Sequence, residues 1–492
     1  MNNMFRLRIL INKDSVVLSK RMKINHVLGY SSMPENLTKA TEYTTTYQPI
    51  ADFYAGKSVF VTGGTGFLGK VYLEKLLYSC KKVDKVYLLV REKKGHNITK
   101  RIEDLFANPL FSRLKKTNPE YFKKVVPVSG DITLPNLGLT PKDEQTLIDK
   151  VSVVYHAAAT VRFNEPLPVA MNINFEGTQK VLELSRRMKN IEAFLYISTA
   201  YTQTQRKVLM ETVYPPPAKE EDIYKFIEEF GNDAKETEKY LCDHEKPNSY
   251  TFTKALAESY IAKNHGDVPA VIIRPSAVVS IKDEPLKSWL DNWFGLTFYF
   301  YTAAKGWNRF NLGNSNNSVD LIPVDYVSNF TIIAGARAKS KYNEVQVFNT
   351  TSSSVNPVTF GEAHKYFSED IISRGKNDMP CPALIFVNSK AILNIGAFFC
   401  QTIPVHIADM WLKMTGKKPK FVKLAADFTE LARMADYFTS KNWQFRADRM
   451  RELFDSLSPE DKRIFPCDPT QIDWSEYLRD YGKGVRKYLK PK

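Results

Sequence analysis

Tyr250 and Lys254 are the residues of this chain whose types and spacing best suit acid–base chemistry. Residues four apart lie on one face of a helix. An ammonium group beside a phenol favours the phenolate, so we expect Lys254 to lower the pKa of Tyr250 and let it donate a proton near neutral pH. The same Tyr–Lys spacing occurs four more times in the sequence, so the position in the fold has to select this pair.

A short apolar segment, residues 194–197, supplies that position, because Ser198 and Thr199 follow it directly. Ligands of parallel sheets bind at the carboxyl ends of the strands. A helix that begins near Tyr250 after this strand brings the phenol to the same edge, where Thr199 or Ser198 could hydrogen-bond a substrate carbonyl. A lone threonine would only cap a turn there. Together with the loop described next, the pattern predicts Thr199, Tyr250 and Lys254 as catalytic residues.

A glycine-rich loop indicates which cofactor these groups would serve. Its three glycines, spaced by three, follow the apolar segment 58–61 and precede a helix-like pattern. Such glycines allow a tight turn, close approach of a pyrophosphate and close packing of helix on strand, while the helix N-terminus faces the phosphates. The predicted cofactor contacts of this loop are Thr62, Gly63, Gly66, Phe67, Leu68 and Gly69.

The end of the second apolar segment, residues 86–90, indicates which dinucleotide binds. Folds that bind NAD usually place an acid there to hold the ribose 2′-hydroxyl. Here Arg91 comes next, with Lys93 and Lys94 close behind and Glu92 as an opposing charge. A cation suits a 2′-phosphate, so the sequence predicts NADPH. The alternative for Arg91 is a solvated charge at a strand end.

Further cofactor contacts are expected where later segments end. Asp131 and Ile132 would lie near the adenine, although Asp131 could equally cap a turn. His156 precedes a run of small residues and is as readily structural as catalytic. Asn172 and Asn174 fall inside a helix-like stretch, where Asn is unfavourable without a task, and their simplest role is to tie neighbouring loops together. The contacts predicted near the nicotinamide are Ala157, Tyr250, Lys254, Pro275 and Val278.

Six apolar segments rich in β-branched residues alternate with helix-like stretches, which predicts a parallel sheet covered on both faces. They are residues 58–61, 86–90, 125–128, 151–155, 194–197 and 271–273. The predicted fold class is therefore α/β, a Rossmann-type doubly wound parallel sheet followed by a smaller C-terminal α-helical domain. We expect a poorly ordered N-terminal extension over residues 1–55, the cofactor-binding and catalytic domain over 56–375, and the helical domain over 385–490.

Composition narrows the class of protein. The 43% hydrophobic and 25% charged residues are ordinary for a folded soluble chain and exclude wholesale disorder. Five scattered cysteines without a CxxC pair indicate neither a zinc knuckle nor a disulfide framework, and no metal site is predicted. The net charge of +15 suits a polyanionic ligand, an anionic membrane or a nucleic acid. No recognisable module favours nucleic acid, so none is predicted as a partner.

The first 34 residues carry six cations and a single acid, Asp14. Their apolar run is too short for a signal peptide. A mitochondrial transit peptide is one interpretation of this segment, and a poorly ordered start is the interpretation we favour.

On these residues, the sequence resembles the extended short-chain dehydrogenase/reductases, and among them the alcohol-forming fatty acyl-CoA reductases, especially those of insects. The matching strings lie at residues 62–69, 156–163, 250–258 and 320–325, with further matches at 437–440 and 472–477. The resemblance spans roughly residues 55–490 and therefore includes both predicted domains.

The resemblance implies that NADPH reduces a long-chain acyl-CoA to the primary alcohol, with release of CoA and a bound aldehyde intermediate. Tyr250, assisted by Thr199, would stabilise the oxyanion and supply the proton. This chain departs from the family over residues 291–301, where bulky aromatics replace the family's small residues within an aromatic-rich stretch at 289–307. We expect the stretch to border the acyl chain, and burial in the core is the alternative.

Two other functions compete with this one. Another extended short-chain dehydrogenase/reductase could act on a nucleotide sugar or a sterol-type substrate, but the C-terminal helical domain argues against it. A non-catalytic protein that binds NADPH or lipid would have lost a catalytic residue, whereas Thr199, Tyr250 and Lys254 are all present.

A membrane is the expected further partner. Residues 391–403 are apolar but number only 13, between Lys390 and Pro404, whereas a spanning helix needs about 20. A basic cluster beside an apolar stretch favours an anionic leaflet, and the alternative is a buried helix with a solvated charge run. We expect the cytoplasmic face of a membrane, the endoplasmic reticulum ahead of the peroxisome; the oligomeric state stays open. The cluster comprises Lys413, Lys417, Lys418, Lys420 and Lys423.

Overall fold

The computed structural model describes residues 47–92, 97–231, 233–293, 295–338, 344–373, 384–419, 421–422 and 435–489. Several predictions concern residues outside these ranges. The residues concerned are those of the extension before residue 47, and Lys93, Lys94, Phe294, Lys420 and Lys423.

Seven parallel strands form the central sheet, in the spatial order β3-β2-β1-β4-β5-β6-β7. They are β1 Ser58–Thr62, β2 Val86–Val90, β3 Val125–Ser129, β4 Val151–His156, β5 Ala193–Ile197, β6 Ala270–Pro275 and β7 Gln346–Thr350. The Rossmann-type sheet is confirmed. The strand β7 is additional, because its polar Gln346 and Asn349 interrupt the apolar pattern that marked the other six.

Two hydrophobic cores cover the two faces of this sheet. Val59 and Val61 of β1 point into one core, and Phe60 points into the other. All residues of β1, β2, β4, β5 and β6 are buried, as expected for a parallel sheet with helices on both sides. The neighbours of β1 are β2 and β4, so the loop after β1 lies where the strand order reverses, and ligands bind at that point.

The α-helices are α1 Ile50–Phe53, α2 Phe67–Ser79, α3 Ile98–Ala107, α4 Ser112–Thr117, α5 Pro141–Lys150, α6 Leu167–Ala170, α7 Gly177–Arg186, α8 Glu220–Phe230, α9 Ala234–Asp243, α10 Ser249–Asn264, α11 Leu296–Ala304, α12 Val324–Ala336, α13 Phe360–Ser373, α14 Lys390–Ala397, α15 Ile403–Met414, α16 Asp448–Asp455, α17 Pro459–Ile464 and α18 Trp474–Tyr488. The π-helical segments Met171–Glu176 and Phe398–Thr402 join α6 to α7 and α14 to α15.

Short two-stranded pairings complete the fold. Ala277–Val279 pairs with Leu321–Pro323, and Phe310–Leu312 pairs with Ile385–Val387. Gln444–Phe445 pairs with Val208–Leu209, which ties the C-terminal region to the loop after β5.

Residues 48–55 differ from the predicted poorly ordered extension. Ile50 and Tyr54 are fully buried. The Ile50 amide donates to Asp461 Oδ2 at 3.0 Å, and the Tyr54 hydroxyl donates to the Ile332 carbonyl at 2.8 Å. The sequence pattern missed this segment because a four-residue helix is too short to show periodicity.

The C-terminal helices pack directly on the predicted cofactor-binding and catalytic domain. Tyr481 of α18 meets Phe367 of α13 with the ring centroids 4.9 Å apart. The buried Glu211 carboxylate accepts the backbone amides of Asn349 at 2.9 Å and Met450 at 3.1 Å. This carboxylate therefore joins the loop after β5, the strand β7 and α16.

The apolar segment after residue 390 is longer than predicted. The helix Lys390–Met414 runs for 25 residues, with a mean hydropathy of 1.5 in its most apolar window, and is long enough to cross a membrane by length and composition. The sequence interpretation ended it at Pro404. In the structure Pro404 is the second residue of α15 and follows a π-helical segment. Proline has no amide hydrogen to donate, and the loss of this one helical hydrogen bond costs little where the hydrogen-bond pattern already changes from π to α.

Candidate active site

The loop after β1 forms a cradle that only glycine can line. Gly63 has a φ of +73°, and a Cβ there would lie 2.6 Å from the Ala158 amide nitrogen. A Cβ on Gly69 would meet the Gly63 carbonyl. The Gly66 amide donates to the Gly63 carbonyl at 2.9 Å, and α2 begins at Phe67 without an acid in its first turn. These residues fit a dinucleotide pyrophosphate on the helix N-terminus.

A second cation lies beside Arg91. Arg101, from α3, donates to the Arg91 carbonyl through Nη1 and to Thr65 Oγ1 through Nη2 at 3.3 Å. Burial, followed by repulsion from Arg91, lowers the pKa of Arg101. Two guanidinium groups at the end of β2 suit an anion such as a 2′-phosphate. Sequence reasoning missed Arg101 because it lies ten residues beyond Arg91 in an ordinary amphipathic helix.

Asp131 and Ile132 have structural partners. Asp131 Oδ1 accepts the Thr133 amide at 3.0 Å, which is the turn-capping alternative, while Oδ2 lies 3.9 Å from Arg91 Nη1. Ile132 is buried in a core and would contact any Cβ placed on Gly177. The carboxylate of Asp131 therefore faces the predicted phosphate site, and Ile132 packs inwards.

His156 holds the loop in place and is not available for proton transfer. Its Nδ1 is hydrogen-bonded to Thr62 Oγ1 at 2.7 Å and its Nε2 to Thr178 Oγ1 at 3.0 Å. Thr62 Oγ1 also accepts the Ala158 amide at 3.3 Å. Burial, followed by repulsion from Lys254, lowers the pKa of His156 to about 3, so the ring is neutral at physiological pH.

The predicted residues at the nicotinamide end occupy the carboxyl edges of β4 and β6. Ala157 follows β4 beside Gly63, Pro275 ends β6, and Val278 lies in the short strand Ala277–Val279. Nearby, the buried hydroxyls of Ser198 and Ser276 have no hydrogen-bond partner among the described residues. Buried hydroxyls of this kind fit the polar groups of a bound cofactor.

Thr199, Tyr250 and Lys254 come together at the end of β5. Asn248 caps α10 by accepting the Thr251 amide at 2.9 Å, which fixes Tyr250 in the first turn. The Thr199 side chain lies close enough to the Tyr250 phenol to lower its pKa. Lys254 Nζ donates to the Ile197 carbonyl at 2.7 Å. The backbone of β5 therefore positions two of the three groups.

The pKa values of these groups differ from the sequence expectation. Burial raises the pKa of Tyr250 to about 12, against the opposing hydrogen bond from Thr199. Burial lowers the pKa of Lys254 to about 7, and Glu258 opposes this shift. Desolvation thus outweighs the pairing through which Lys254 was expected to acidify the phenol. Tyr250 stays protonated, as a proton donor must.

A buried asparagine ties the neighbouring loop to α10. Asn174, in the π-helical segment, accepts the Thr160 amide at 2.9 Å and donates to Thr253 Oγ1 at 3.1 Å. The interpretation that Asn174 ties loops together is confirmed. It is a positioning residue, since Thr253 lies between Tyr250 and Lys254 on their helix.

Arg274, the residue before Pro275 in β6, has its side chain inside the protein. Its guanidinium is fully buried and donates to both oxygens of Glu258, at 2.8 and 2.6 Å. It also donates to the Met210 and Thr212 carbonyls. A buried charge needs such a complete set of partners, and therefore Arg274 is structural.

Aromatic rings connect the catalytic tyrosine to the C-terminal region. Phe163 lies 5.9 Å from Tyr250 and stacks on Phe438 at 5.4 Å, centroid to centroid. Phe438 also meets Tyr201 at 5.4 Å, and the Tyr201 amide donates to Thr199 at 3.3 Å. Thr439 fixes this segment by donating to the Leu312 carbonyl at 2.6 Å. No motif predicted that Phe438 would lie one ring away from Tyr250.

Some residues of the aromatic-rich stretch are buried in the core, and others are placed where they could border the acyl chain. Trp289 stacks on Phe67 at 5.7 Å and is buried in the core, as are Tyr299 and Phe300. The half-buried Trp293 stacks edge-on against Tyr301 at 4.8 Å. The core alternative therefore holds for the first three residues, and contact with an acyl chain stays a prediction for Trp293 and Phe298.

Comparisons with known proteins agree on one family. A family model described as male sterility protein matches residues 61–331, and a second with the same description matches residues 400–491. Fatty acyl-CoA reductase 1 of Rattus norvegicus is 36% identical over 446 residues, covering 89% of this chain and 86% of that protein. Fatty acyl-CoA reductase wat of Drosophila melanogaster is 33% identical over 449 residues, covering 90% and 86%.

Solved structures share the fold. The terminal R domain from the myxalamid PKS-NRPS biosynthetic pathway superposes with a TM-score of 0.59 at 21% identity, covering 89% of this chain and 92% of that one. The reductase domain of a nonribosomal peptide synthetase from Mycobacterium tuberculosis gives a TM-score of 0.54 at 15% identity, covering 87% and 91%.

Proposed function

The chain belongs to the fatty acyl-CoA reductase family and reduces fatty acyl-CoA to the primary alcohol with a nicotinamide cofactor, and we propose that the cofactor is NADPH and that Thr199, Tyr250 and Lys254 carry the chemistry. The observation that carries this proposal is the convergence of Thr199, a protonated Tyr250 and Lys254 at the end of β5. The bound nicotinamide would supply hydride. The chain's own residues would orient the acyl carbonyl and manage its proton.

The catalytic roles follow from where each group lies. The Tyr250 phenol, which keeps its proton, donates a hydrogen bond to the carbonyl oxygen and then the proton itself as negative charge develops there. The Thr199 hydroxyl shares that oxygen and holds the phenol in position. Lys254, fixed on the Ile197 carbonyl, adds positive charge whenever it is protonated and stabilises the oxyanion. After the first hydride transfer the carbonyl re-forms, the C–S bond breaks and CoA leaves as the thiolate, so the same three groups can then serve the carbonyl of the aldehyde.

NADPH is proposed over NADH because of charge. Arg91 and Arg101 lie at the end of β2, and Asp131 is the carboxylate whose ion pair with Arg91 is 3.9 Å long. An acid that would hold a bare ribose 2′-hydroxyl is replaced here by two cations. A 2′-phosphate would neutralise their mutual repulsion.

Product analysis tests this proposal. Purified protein is incubated with an acyl-CoA length series and either NADPH or NADH, and alcohol and aldehyde are measured by gas chromatography. Alcohol formation with NADPH is expected to fall about 10²–10⁴-fold in Tyr250→Phe. The matched control is Tyr78→Phe, which alters a tyrosine of the same Tyr–Lys spacing whose ring lies under Arg113. Near-normal alcohol production by Tyr250→Phe would contradict the assignment.

We also propose that the enzyme works at the cytoplasmic face of a membrane, the endoplasmic reticulum ahead of the peroxisome. Support comes from the apolar helix Lys390–Met414 and from the lipid nature of the substrate. Flotation of the full chain with anionic vesicles tests membrane association, and organelle co-localisation tests the compartment. Protein that remains at the bottom of the gradient would contradict the first proposal.

A further inference from the structure

One face of the helix Lys390–Met414 is apolar and exposed along its whole length. Eight large apolar side chains on it are more than half exposed, from Phe398 at 52% to Met414 at 79%, and no other large apolar side chain in the described ranges reaches half. At 1.5 Å per residue the 25 residues extend about 37 Å. The eight side chains are Ile392, Ile395, Phe398, Phe399, Ile407, Met410, Trp411 and Met414.

The charges around this apolar face are positive. Lys390 begins the helix, and Lys413, Lys417 and Lys418 are exposed at and after its end. The single carboxylate of the helix, Asp409, is 5% exposed and accepts the amides of Phe421 at 2.9 Å and Val422 at 2.8 Å. Its charge is therefore turned inwards, and the exposed surface complements an anionic layer.

The first half of the helix is held against the body of the protein. Near its midpoint, Gln401 donates to the Trp307 carbonyl at 3.2 Å and accepts the Phe310 amide at 3.4 Å. Gly396 packs so closely on the Phe310 ring that a Cβ there would lie 2.6 Å from it. The strand Ile385–Val387, just before the helix, pairs with Phe310–Leu312.

These contacts are incompatible with a helix that crosses a bilayer. If the midpoint at Gln401 lay at the bilayer centre, the residues bound to it would follow, and Arg309 and Asn308 lie between Trp307 and Phe310. Charged and incompletely paired polar groups are strongly disfavoured in hydrocarbon. A helix lying along the surface keeps the same groups on its protein side, outside the hydrocarbon.

We propose that the helix Lys390–Met414 lies in the plane of an anionic membrane surface and inserts its apolar face into the headgroup–acyl boundary without spanning the bilayer. This inference rests on the proposed membrane association and adds the orientation of the protein on the membrane. An amphipathic helix with large apolar side chains on one face and lysines beside them has the composition of such in-plane anchors.

The proposed in-plane orientation of the helix also suggests a route by which the acyl chain of the substrate enters the protein. Trp307, whose carbonyl holds Gln401, lies 6.1 Å from Tyr301, and Tyr301 lies 4.8 Å from Trp293, centroid to centroid. These three rings form a continuous row within the aromatic-rich stretch, and the row begins beside the helix. With the helix in the interface, an acyl chain can pass from the membrane along these rings without crossing water.

Depth measurements on the full chain test the orientation. Ile392→Cys, Phe399→Cys and Met410→Cys are made one at a time in a Cys242→Ser, Cys381→Ser, Cys400→Ala background and labelled with an environment-sensitive fluorophore. Vesicles of phosphatidylcholine, with or without phosphatidylserine, carry quenchers at shallow or deep acyl positions. An in-plane helix gives all three labels the same shallow depth, with stronger binding when phosphatidylserine is present.

The other outcomes are distinct from this one. A deep Phe399 label between two shallow ones would show a spanning helix and overturn the proposal. Labels that are not quenched on vesicles that nevertheless carry the protein would show that a second copy or another segment of this chain covers the face, and would also overturn it. Failure of the protein to bind vesicles at all would refute the proposed membrane association.

A paired substitution tests the apolar face itself. Ile395→Glu with Phe399→Glu is expected to weaken vesicle binding at least about tenfold while turnover of a water-soluble short-chain acyl-CoA is unchanged. Lys116→Glu, on the exposed surface of α4, is the control for lost positive charge. Phe399→Leu, which keeps the face apolar, is expected to retain binding. Equal binding by the paired variant and the control would overturn the proposal.

Discussion

Replacing Arg101 by alanine is expected to weaken NADPH binding and leave NADH binding unchanged. A charge-assisted hydrogen bond contributes about 1.5–3 kcal/mol, and about 1.4 kcal/mol corresponds to a tenfold change in affinity. Arg91 has 58% of its side chain exposed, so solvent screens it, and Arg91→Ala should cost about tenfold. Arg101 is half-buried and fixed by two hydrogen bonds, so Arg101→Ala should cost about 30- to 100-fold.

The two losses should not add. Both guanidinium groups would face one phosphate, and removing Arg91 also removes the repulsion that lowers the pKa of Arg101. Residues that share a partner couple in this way. The double variant should therefore bind NADPH only slightly more weakly than Arg101→Ala.

Fluorescence titration with NADPH and with NADH measures these affinities, and thermal unfolding checks that the variants are folded. The matched control is Lys100→Gln, which removes a neighbouring positive charge that pairs with Glu103 and Asp104. A parallel loss of NADPH and NADH affinity would show that Arg101 acts on the fold. A loss of equal size in the control would show that only the overall charge matters.

Three further substitutions probe the reaction site. Turnover should fall as pH rises through about 7, because Lys254 is charged below its pKa of about 7 and neutral above it, while His156, with a pKa of about 3, adds no change. Lys254→Arg should shift this fall to higher pH. An unchanged pH–rate profile in this variant would refute the assignment. Phe438→Ala should raise the KM for long-chain acyl-CoA about two- to tenfold and increase the amount of released aldehyde, measured with a carbonyl trap. Phe438→Tyr, the control, should change neither quantity. A loss of thermal stability alone would indicate that Phe438 only packs. Trp293→Ala should shift the preferred acyl-CoA towards longer chains at unchanged NADPH affinity, since each extra buried methylene contributes about 0.8 kcal/mol. An unchanged chain-length profile would favour a core role for Trp293.

Local patterns were enough to predict the cofactor loop and the position of the catalytic helix. Gly63 has a positive φ, and a Cβ on Gly69 would meet the Gly63 carbonyl in the same loop, so the glycine spacing carried the information. Tyr250 and Lys254 lie one helical turn apart, and therefore their alignment needed nothing beyond helix geometry. The sequence could predict both features because each depends on a short stretch of chain.

Features that depend on distant segments were missed or misjudged. The pKa of Tyr250 depends on burial by the whole fold, and the sequence pattern registered only the lysine four residues away. Phe438 reaches Phe163 because the C-terminal region folds back onto the sheet, a contact between residues 275 positions apart in the sequence. The ion pair of Arg274 with Glu258 likewise joins two separate elements, β6 and α10, and no local pattern marks it.

The pairing of Gln444–Phe445 with Val208–Leu209 joins segments that are synthesised far apart in time. Chains fold from the N-terminus as they leave the ribosome, so the glycine loop and Tyr250 emerge well before Phe438. Until the C-terminal region is made, Glu211 lacks the Met450 amide and Phe163 lacks its stacking partner. A transcript truncated after β7 is therefore expected to encode a protein that reduces no acyl-CoA.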